Sequence, residues 1–72
     1  MSDTAVFSGA RLTEIREGAG WSVYKLADAM GVNDDTVRNW ESGWTTPNAS
    51  RLFQLADVFG VALTAFGGTE TA

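Results

Sequence analysis

The segment between Asp34 and Asn39 brings together carboxylate, hydroxyl, guanidinium and amide side chains. Such groups donate and accept hydrogen bonds, but their spacing does not suit catalysis. Asp34 and Asp35 are adjacent, so on a helix they do not face each other. The chain has no histidine or cysteine, which removes the commonest general base and thiolate metal ligands. No nucleophile, base and orienting group occur at a useful spacing, and no glycine-rich phosphate loop is present. We therefore expect a binding protein rather than an enzyme, without cofactor or metal.

The elements that position these side chains are two short helical patterns on either side of Gly31. In the first pattern Ser22 can cap the helix, and Leu26, Ala27 and Met30 form one apolar face. In the second, Asn33 can cap, and Val37 and Trp40 lie three residues apart. Two helices joined by a tight turn that contains glycine have the layout of a helix-turn-helix. Such a unit usually places its second helix in the major groove of DNA.

Length and composition indicate a single small domain. The chain has 72 residues and no cysteine, so its stability must come from apolar packing or self-association rather than from disulfides. No apolar run approaches the roughly 20 residues of a membrane span. The N-terminus, MSDTAVFSGAR, is unlike the basic start of a secretory signal, which makes the cytoplasm the expected location.

The periodicity predicts an all-α fold, a compact bundle of five helices. They cover about residues 9–18, 22–30, 33–41, 48–59 and 61–66, and form one domain over residues 9–66. Residues 1–8 and 67–72 are expected to be tails, the second of them flexible. The predicted core consists of Leu12, Ile15, Trp21, Leu26, Ala27, Met30, Val32, Val37, Trp40, Leu52, Leu55, Ala56, Phe59 and Val61.

These segments together resemble a known family. The strings GARLTEIREGAGWS, KLADAMGV, TVRNWESG, a proline and RLFQLADVFGV are similar to the lambda-repressor-like (Cro/XRE-type) helix-turn-helix domain over about residues 9–66. The resemblance implies a five-helix domain whose second and third helices read double-stranded DNA. It also implies a homodimer that binds a near-palindromic operator, in a transcriptional repressor of phage or bacterial type.

The resemblance also implies roles for individual residues. Arg16 matches a first-helix arginine that pairs with a glutamate at the end of the recognition helix, here Glu41. The outward positions that read base edges are Asp34, Asp35, Thr36, Arg38 and Asn39. In these roles Asn39 suits adenine, Asp35 suits cytosine, and Arg38 suits guanine or a phosphate. The positions that usually touch the DNA backbone are Ser22, Val23, Ser42, Trp44, Thr45 and Thr46.

The chain departs from the family in its charge. Its net charge is −4, whereas nucleic-acid-binding domains normally show a basic face. Val23 and Trp44 stand where the family often has a glutamine and a basic residue. Once Arg16 is paired with Glu41, the cations expected to remain free are Arg11, Lys25, Arg38 and Arg51. For Asp34 and Asp35, simple capping of the helix N-terminus and a role in base selection both stay open.

A second function class therefore remains open beside DNA binding. The domain could serve as an acidic protein-interaction module, an anti-repressor or an occupant of another protein's DNA site, with Val23, Tyr24 and Trp44 as an apolar contact patch. Trp44 either points into solvent or folds back over its loop. Phe53, Val61, Leu63 and Phe66 offer apolar surface on the fourth and fifth helices, where we expect the homodimer contact.

Overall fold

The computed structural model describes residues 7–67, which form four α-helices and one 3-10 helix. The α-helices are α1 (Gly9–Gly18), α2 (Val23–Met30), α3 (Asp34–Ser42) and α4 (Ala49–Phe59), and the 3-10 helix spans Leu63–Phe66. Within this part of the chain the structure has no β-strand, only an isolated antiparallel bridge between Phe7 and Gly67. The predicted all-α class is therefore confirmed.

Local sequence signals explain where the α-helices begin. Each of the four follows a serine or asparagine whose side-chain oxygen accepts a backbone N–H from the first turn. The capping residues are Ser8, Ser22, Asn33 and Asn48. These caps satisfy backbone amide groups that have no partner inside the helix. Each helix therefore begins directly after its capping residue, close to the start that the periodicity predicts.

The fifth helix differs from the prediction. An α-helix was expected over residues 61–66, but Ala62 is extended and only Leu63–Phe66 form a helix, of the 3-10 type. Val61 donates its N–H back to the carbonyl of Ala56 and so helps to close the end of α4. The segment left after that closure is four residues long, the length at which 3-10 geometry is common.

The core lies between α1, α2, α3, α4 and the 3-10 helix. Its buried members are Leu12, Leu26, Ala27, Met30, Val37, Trp40, Leu55 and Phe66. The other side chains of the predicted core are half-buried against it. Phe66 is among the buried members, although the sequence predicts it to be one of the outward apolar residues. Phe66 is fully buried because the 3-10 helix folds its last residue under α1.

The two ends of the described chain meet beside this core. The Phe7 ring stacks on Phe66 with centroids 6.3 Å apart, and Ser8 donates its N–H to the carbonyl of Phe66 at 2.6 Å. Phe7, Ser8 and Gly67 had been assigned to the tails, whereas here they contact each other or the core. The remaining tail residues, 1–6 and 68–72, lie outside the described part.

Helix α1 approaches α3 closely at Gly9. A Cβ atom at Gly9 would lie much closer than 3.0 Å to the carbonyl oxygens of Trp40 and Glu41. Glycine is therefore required where the start of α1 meets the end of α3. Across residues 7–67, no helix has both the length and the apolar character needed to cross a membrane.

Candidate nucleic-acid interface

The turn between α2 and α3 fixes the direction of α3. Gly31 adopts φ = 70°, and the N–H of Val32 donates to the carbonyl of Ala27 at 3.0 Å. A left-handed residue here ends α2 and turns the chain at once into the next helix. Asn33 then begins α3 by accepting the N–H of Asp35 at 2.9 Å. These contacts give the helix-turn-helix geometry expected from the sequence.

Helix α3 presents one face to the core and another to solvent. Val37 and Trp40 are buried, which turns the other side of the helix outward. The predicted base-reading residues all lie on this helix; Asp35 and Arg38 are exposed, and Asp34, Thr36 and Asn39 are half-buried. Among residues 7–67 the Asn39 side chain takes part in no hydrogen bond, so both of its amide groups remain available to a partner.

Arg38 is held by three neighbouring side chains. Its Nη1 contacts Asp34 in a short ion pair and lies 3.4 Å from Asp35 Oδ1. Its Nη2 donates to the hydroxyl of Tyr24 at 3.0 Å, and the guanidinium carbon lies 5.2 Å from the centre of the Tyr24 ring. Hydrogen bonds to Tyr24 and then to Asp34 raise the pKa of Arg38 above its ordinary value.

The sequence analysis missed this arrangement around Arg38. The spacing of the two aspartates, three and four residues before Arg38, could have predicted both ion pairs. Tyr24 lies 14 residues away on α2, and no local pattern could have indicated its contact with Arg38. From the sequence, Tyr24 is predicted to belong to an apolar patch instead.

Arg16 and Glu41 join α1 to the end of α3. Arg16 Nε donates to Glu41 Oε2 at 2.6 Å and Nη2 donates to Oε1 at 3.2 Å, while Nη1 donates to the carbonyl of Trp21 at 2.8 Å. Both charged side chains are only 12% exposed. The hydrogen bonds to Glu41 raise the pKa of Arg16, although burial opposes that shift. The pair therefore ties α3 to α1.

The other three cations are also engaged within the chain. Arg51 donates to the carbonyl of Met30 and to Gln54, both at 3.0 Å. The Lys25 ammonium lies 4.6 Å from the centre of the Trp21 ring, and Arg11 pairs with Glu14 at 3.7 Å. The expectation that Arg11, Lys25, Arg38 and Arg51 are free is therefore wrong. A carboxylate, an aromatic ring, a helix-end carbonyl and a side-chain amide supply these partners.

The predicted backbone-contact residues lie at two places, the start of α2 and the loop after α3. Ser22 is the cap of α2, and Ser42 Oγ donates to the carbonyl of Asn39 at 3.1 Å. Trp44 is 79% exposed, so the alternative in which it folds back over the loop is wrong. Val23 packs partly against the core, which reduces the apolar patch proposed for it, Tyr24 and Trp44. Thr45 and Thr46 are exposed beside Trp44.

Known proteins are similar to this chain in sequence and in fold. It is similar to the HTH-type transcriptional regulator AnsR of Bacillus subtilis, with 37% identity over 60 residues, which cover 83% of this chain and 52% of AnsR. It is also 33% identical over 66 residues to the HTH-type transcriptional regulator PuuR of Escherichia coli, covering 92% of this chain and 36% of PuuR. The chain thus spans about half of AnsR and about a third of PuuR.

A solved structure and a family model also indicate a helix-turn-helix protein. The structure of SinR, the master regulator for biofilm formation, in complex with DNA superposes with a TM-score of 0.70 at 27% identity, covering 76% of this chain and 89% of SinR. The family model described as helix-turn-helix (HTH_3) matches residues 12–66, most of the described chain. This chain therefore belongs to the helix-turn-helix family that its sequence resembles.

Proposed function

We propose that this chain is the DNA-binding unit of a transcriptional regulator, and that α3 lies in the major groove of its operator. The observation that carries the proposal is the outward face of α3, where an unengaged Asn39 lies beside Asp35 and Arg38 on a helix fixed from behind. Relatives described as transcriptional regulators and the DNA complex of SinR support it. Such a regulator acts in the cytoplasm, where bacterial DNA lies.

The residue types on α3 suggest how bases are read. The free amide of Asn39 can donate to N7 of an adenine and accept from the amino group of the same base. The carboxylate of Asp35 can accept from the amino group of cytosine. Thr36 and Asp34 flank these groups on the half-buried edge of the helix. We assign Asn39 the largest share of the discrimination because its side chain has no competing hydrogen bond among residues 7–67.

Phosphate binding must come mainly from uncharged groups. The candidates are hydroxyls, backbone amides and one indole N–H, from Ser22, Val23, Ser42, Trp44, Thr45 and Thr46. Neutral donors at helix N-termini bind phosphate. Each phosphate neutralised by a cation adds about 0.9 to the slope of log affinity against log salt. Because each cation already has a partner within residues 7–67, we expect a slope below about 3, at the low end for DNA-binding proteins.

Selection from a random DNA pool at low salt, followed by titration of the best site, tests the proposal. Asn39→Ala should weaken binding by about 1–3 kcal/mol and relax preference at one base pair. Gln54→Ala is the matched control, since it truncates an exposed amide on α4. A pool that yields no enriched sequence, or an Asn39→Ala variant that binds every site as wild type does, would contradict reading by α3.

We further propose a homodimer through α4 and the 3-10 helix. Phe53 on α4 is 60% exposed, and Leu63 in the 3-10 helix is 36% exposed. Dimers of helix-turn-helix proteins usually bind two half-sites about one helical turn apart. Sedimentation should show a dimer at high micromolar concentration that Phe53→Glu converts to monomer. A wild-type chain that stays monomeric both free and on DNA would rule this interface out.

A protein-interaction module is the second candidate function. The 79% exposed indole of Trp44 favours it, as does an α3 N-terminus that carries Asp34 and Asp35. The two candidates differ for a variant in which both aspartates become asparagine. If the domain binds DNA, the variant should bind non-specific DNA more tightly than wild type, because two negative charges leave the phosphate field. If it binds a protein instead, the variant should still fail to bind DNA at low salt.

A further inference from the structure

Arg38 is surrounded by more negative than positive charge. Its single guanidinium contacts the carboxylates of Asp34 and Asp35, so the cluster of three side chains carries one positive and two negative charges, a net −1. Asp35 remains 81% exposed and Asp34 is 34% exposed, so an approaching group meets both carboxylates as well as the cation. A DNA phosphate would be repelled by these carboxylates, whereas the edge of a base carries no net charge.

The hydrogen bonds of Arg38 leave part of its fork unused. A guanidinium has five N–H donors. Nη1 is directed to Asp34 and Asp35, and Nη2 donates to Tyr24. Within residues 7–67, Nε–H and the second hydrogen of Nη2 have no partner. Two donors are the number that a guanine requires, since its major-groove edge presents the acceptors O6 and N7.

Tyr24 fixes Arg38 from a different helix. Its ring lies beside the guanidinium and its hydroxyl accepts from Nη2, which ties the side chain of α3 to α2. A long arginine side chain that is already ordered loses less conformational freedom when it binds. Tyr24 is 63% exposed and Arg38 is on the surface, so the contact does not serve the core.

We propose that Tyr24 and Asp34 are positioning residues that hold Arg38 toward the acceptor edge of one guanine. Arg38 then sets base preference at one G·C pair and does not anchor a phosphate. This inference rests on the proposed DNA-binding function and refines it. It also gives Asp34 a role beyond helix capping, and Tyr24 a role within the DNA interface rather than in an apolar patch.

The test compares variants on the selected site and on copies in which each G·C pair is replaced in turn. Tyr24→Phe keeps the ring and removes only the acceptor, and Asp34→Asn removes one carboxylate. Both should reduce discrimination at the same G·C pair by about 10-fold, within the range known for a bidentate contact. Arg38→Lys keeps the positive charge but should lose discrimination at this G·C pair, because lysine lacks the planar fork of arginine. Asp28→Asn is the matched control, an exposed carboxylate of α2 that pairs with no cation in residues 7–67.

Salt titration separates base reading from phosphate binding. Arg38→Ala should lower affinity for the selected site with no change in salt slope, and should weaken that site more than it weakens non-specific DNA. A slope that falls by about 0.9, with equal weakening on all sequences, would identify a phosphate contact and overturn the inference. Full discrimination in Tyr24→Phe, beside a wild type that does select a sequence, would overturn the inference alone. A wild type that selects nothing would overturn both this inference and the proposed function.

Discussion

Removing Arg16 should destabilise the domain more than removing any other charged side chain in residues 7–67. In Arg16→Ala, the carboxylate of Glu41, which is 12% exposed in the wild type, would lose both guanidinium hydrogen bonds, and the carbonyl of Trp21 would lose its donor. Leaving one charge of a buried pair uncompensated typically costs about 3–5 kcal/mol. We expect the lower end, about 3 kcal/mol, because a small part of Glu41 still reaches water.

That loss is large for a domain of this size. At roughly 0.05–0.15 kcal/mol per residue, the whole chain is stable by about 4–11 kcal/mol. In urea, with a slope near 1 kcal/mol per molar, the unfolding midpoint should fall by about 3 M. Equilibrium denaturation followed by tryptophan fluorescence measures this shift directly, since Trp21 and Trp40 lie in or beside the core.

Arg11→Ala is the matched control for this measurement. It also removes an arginine from α1, but its ion pair with Glu14 spans 3.7 Å and both side chains are more than half exposed. Exposed pairs contribute about 0–1 kcal/mol, so this variant should unfold close to wild type. If Arg16→Ala and Arg11→Ala shifted the midpoint equally, the Arg16–Glu41 pair would be an ordinary solvated contact and the reasoning would fail. A double variant, Arg16→Met with Glu41→Leu, should recover most of the lost stability, because it leaves no buried charge unpaired.

Further predictions concern four positions in the fold. Gly9→Ala should destabilise the domain by about 1–3 kcal/mol through its clash with the end of α3, whereas Gly18→Ala, with open space around it, should be neutral or stabilising. Thermal unfolding compares the two, and a tolerated Gly9→Ala would contradict the close approach. Gly31→Ala, at φ = 70°, should cost about 1–2 kcal/mol in urea denaturation. Phe66→Ala should cost about 3–5 kcal/mol, and a loss below 1 kcal/mol would show that the 3-10 helix is not part of the core.

The helices could be predicted because their signals are local. Capping side chains and apolar spacing define α1 to α4 within one or two residues, and each signal lies in the segment that it describes. The last helix could not be predicted in the same way. Its geometry depends on how Val61 closes α4 and how Phe66 fits under α1, and both depend on the assembled core.

In the candidate interface, too, some features follow from local sequence and others depend on the assembled fold. The outward face of α3 follows from the burial of Val37 and Trp40, which periodicity predicts. Periodicity does not predict which groups the cations contact. Tyr24 reaches Arg38 across the helix-turn-helix, and Arg51 reaches the carbonyl of Met30 from α4. A count of charges along the chain gives the net balance, but only the packing of the helices shows which groups each cation contacts.

The position of Phe66 determines when this domain can fold during synthesis. The largest fully buried side chain stands at residue 66, behind every other member of the core in chain order. A nascent chain that ends at α4 therefore lacks the ring on which Phe7 stacks and the carbonyl that receives the N–H of Ser8. At about 5–20 residues per second, the seven residues that follow Phe59 up to that ring take about 0.4–1.4 s to add. Until that ring is added the core lacks its largest fully buried side chain, so we expect the complete fold to form only after the 3-10 helix is translated.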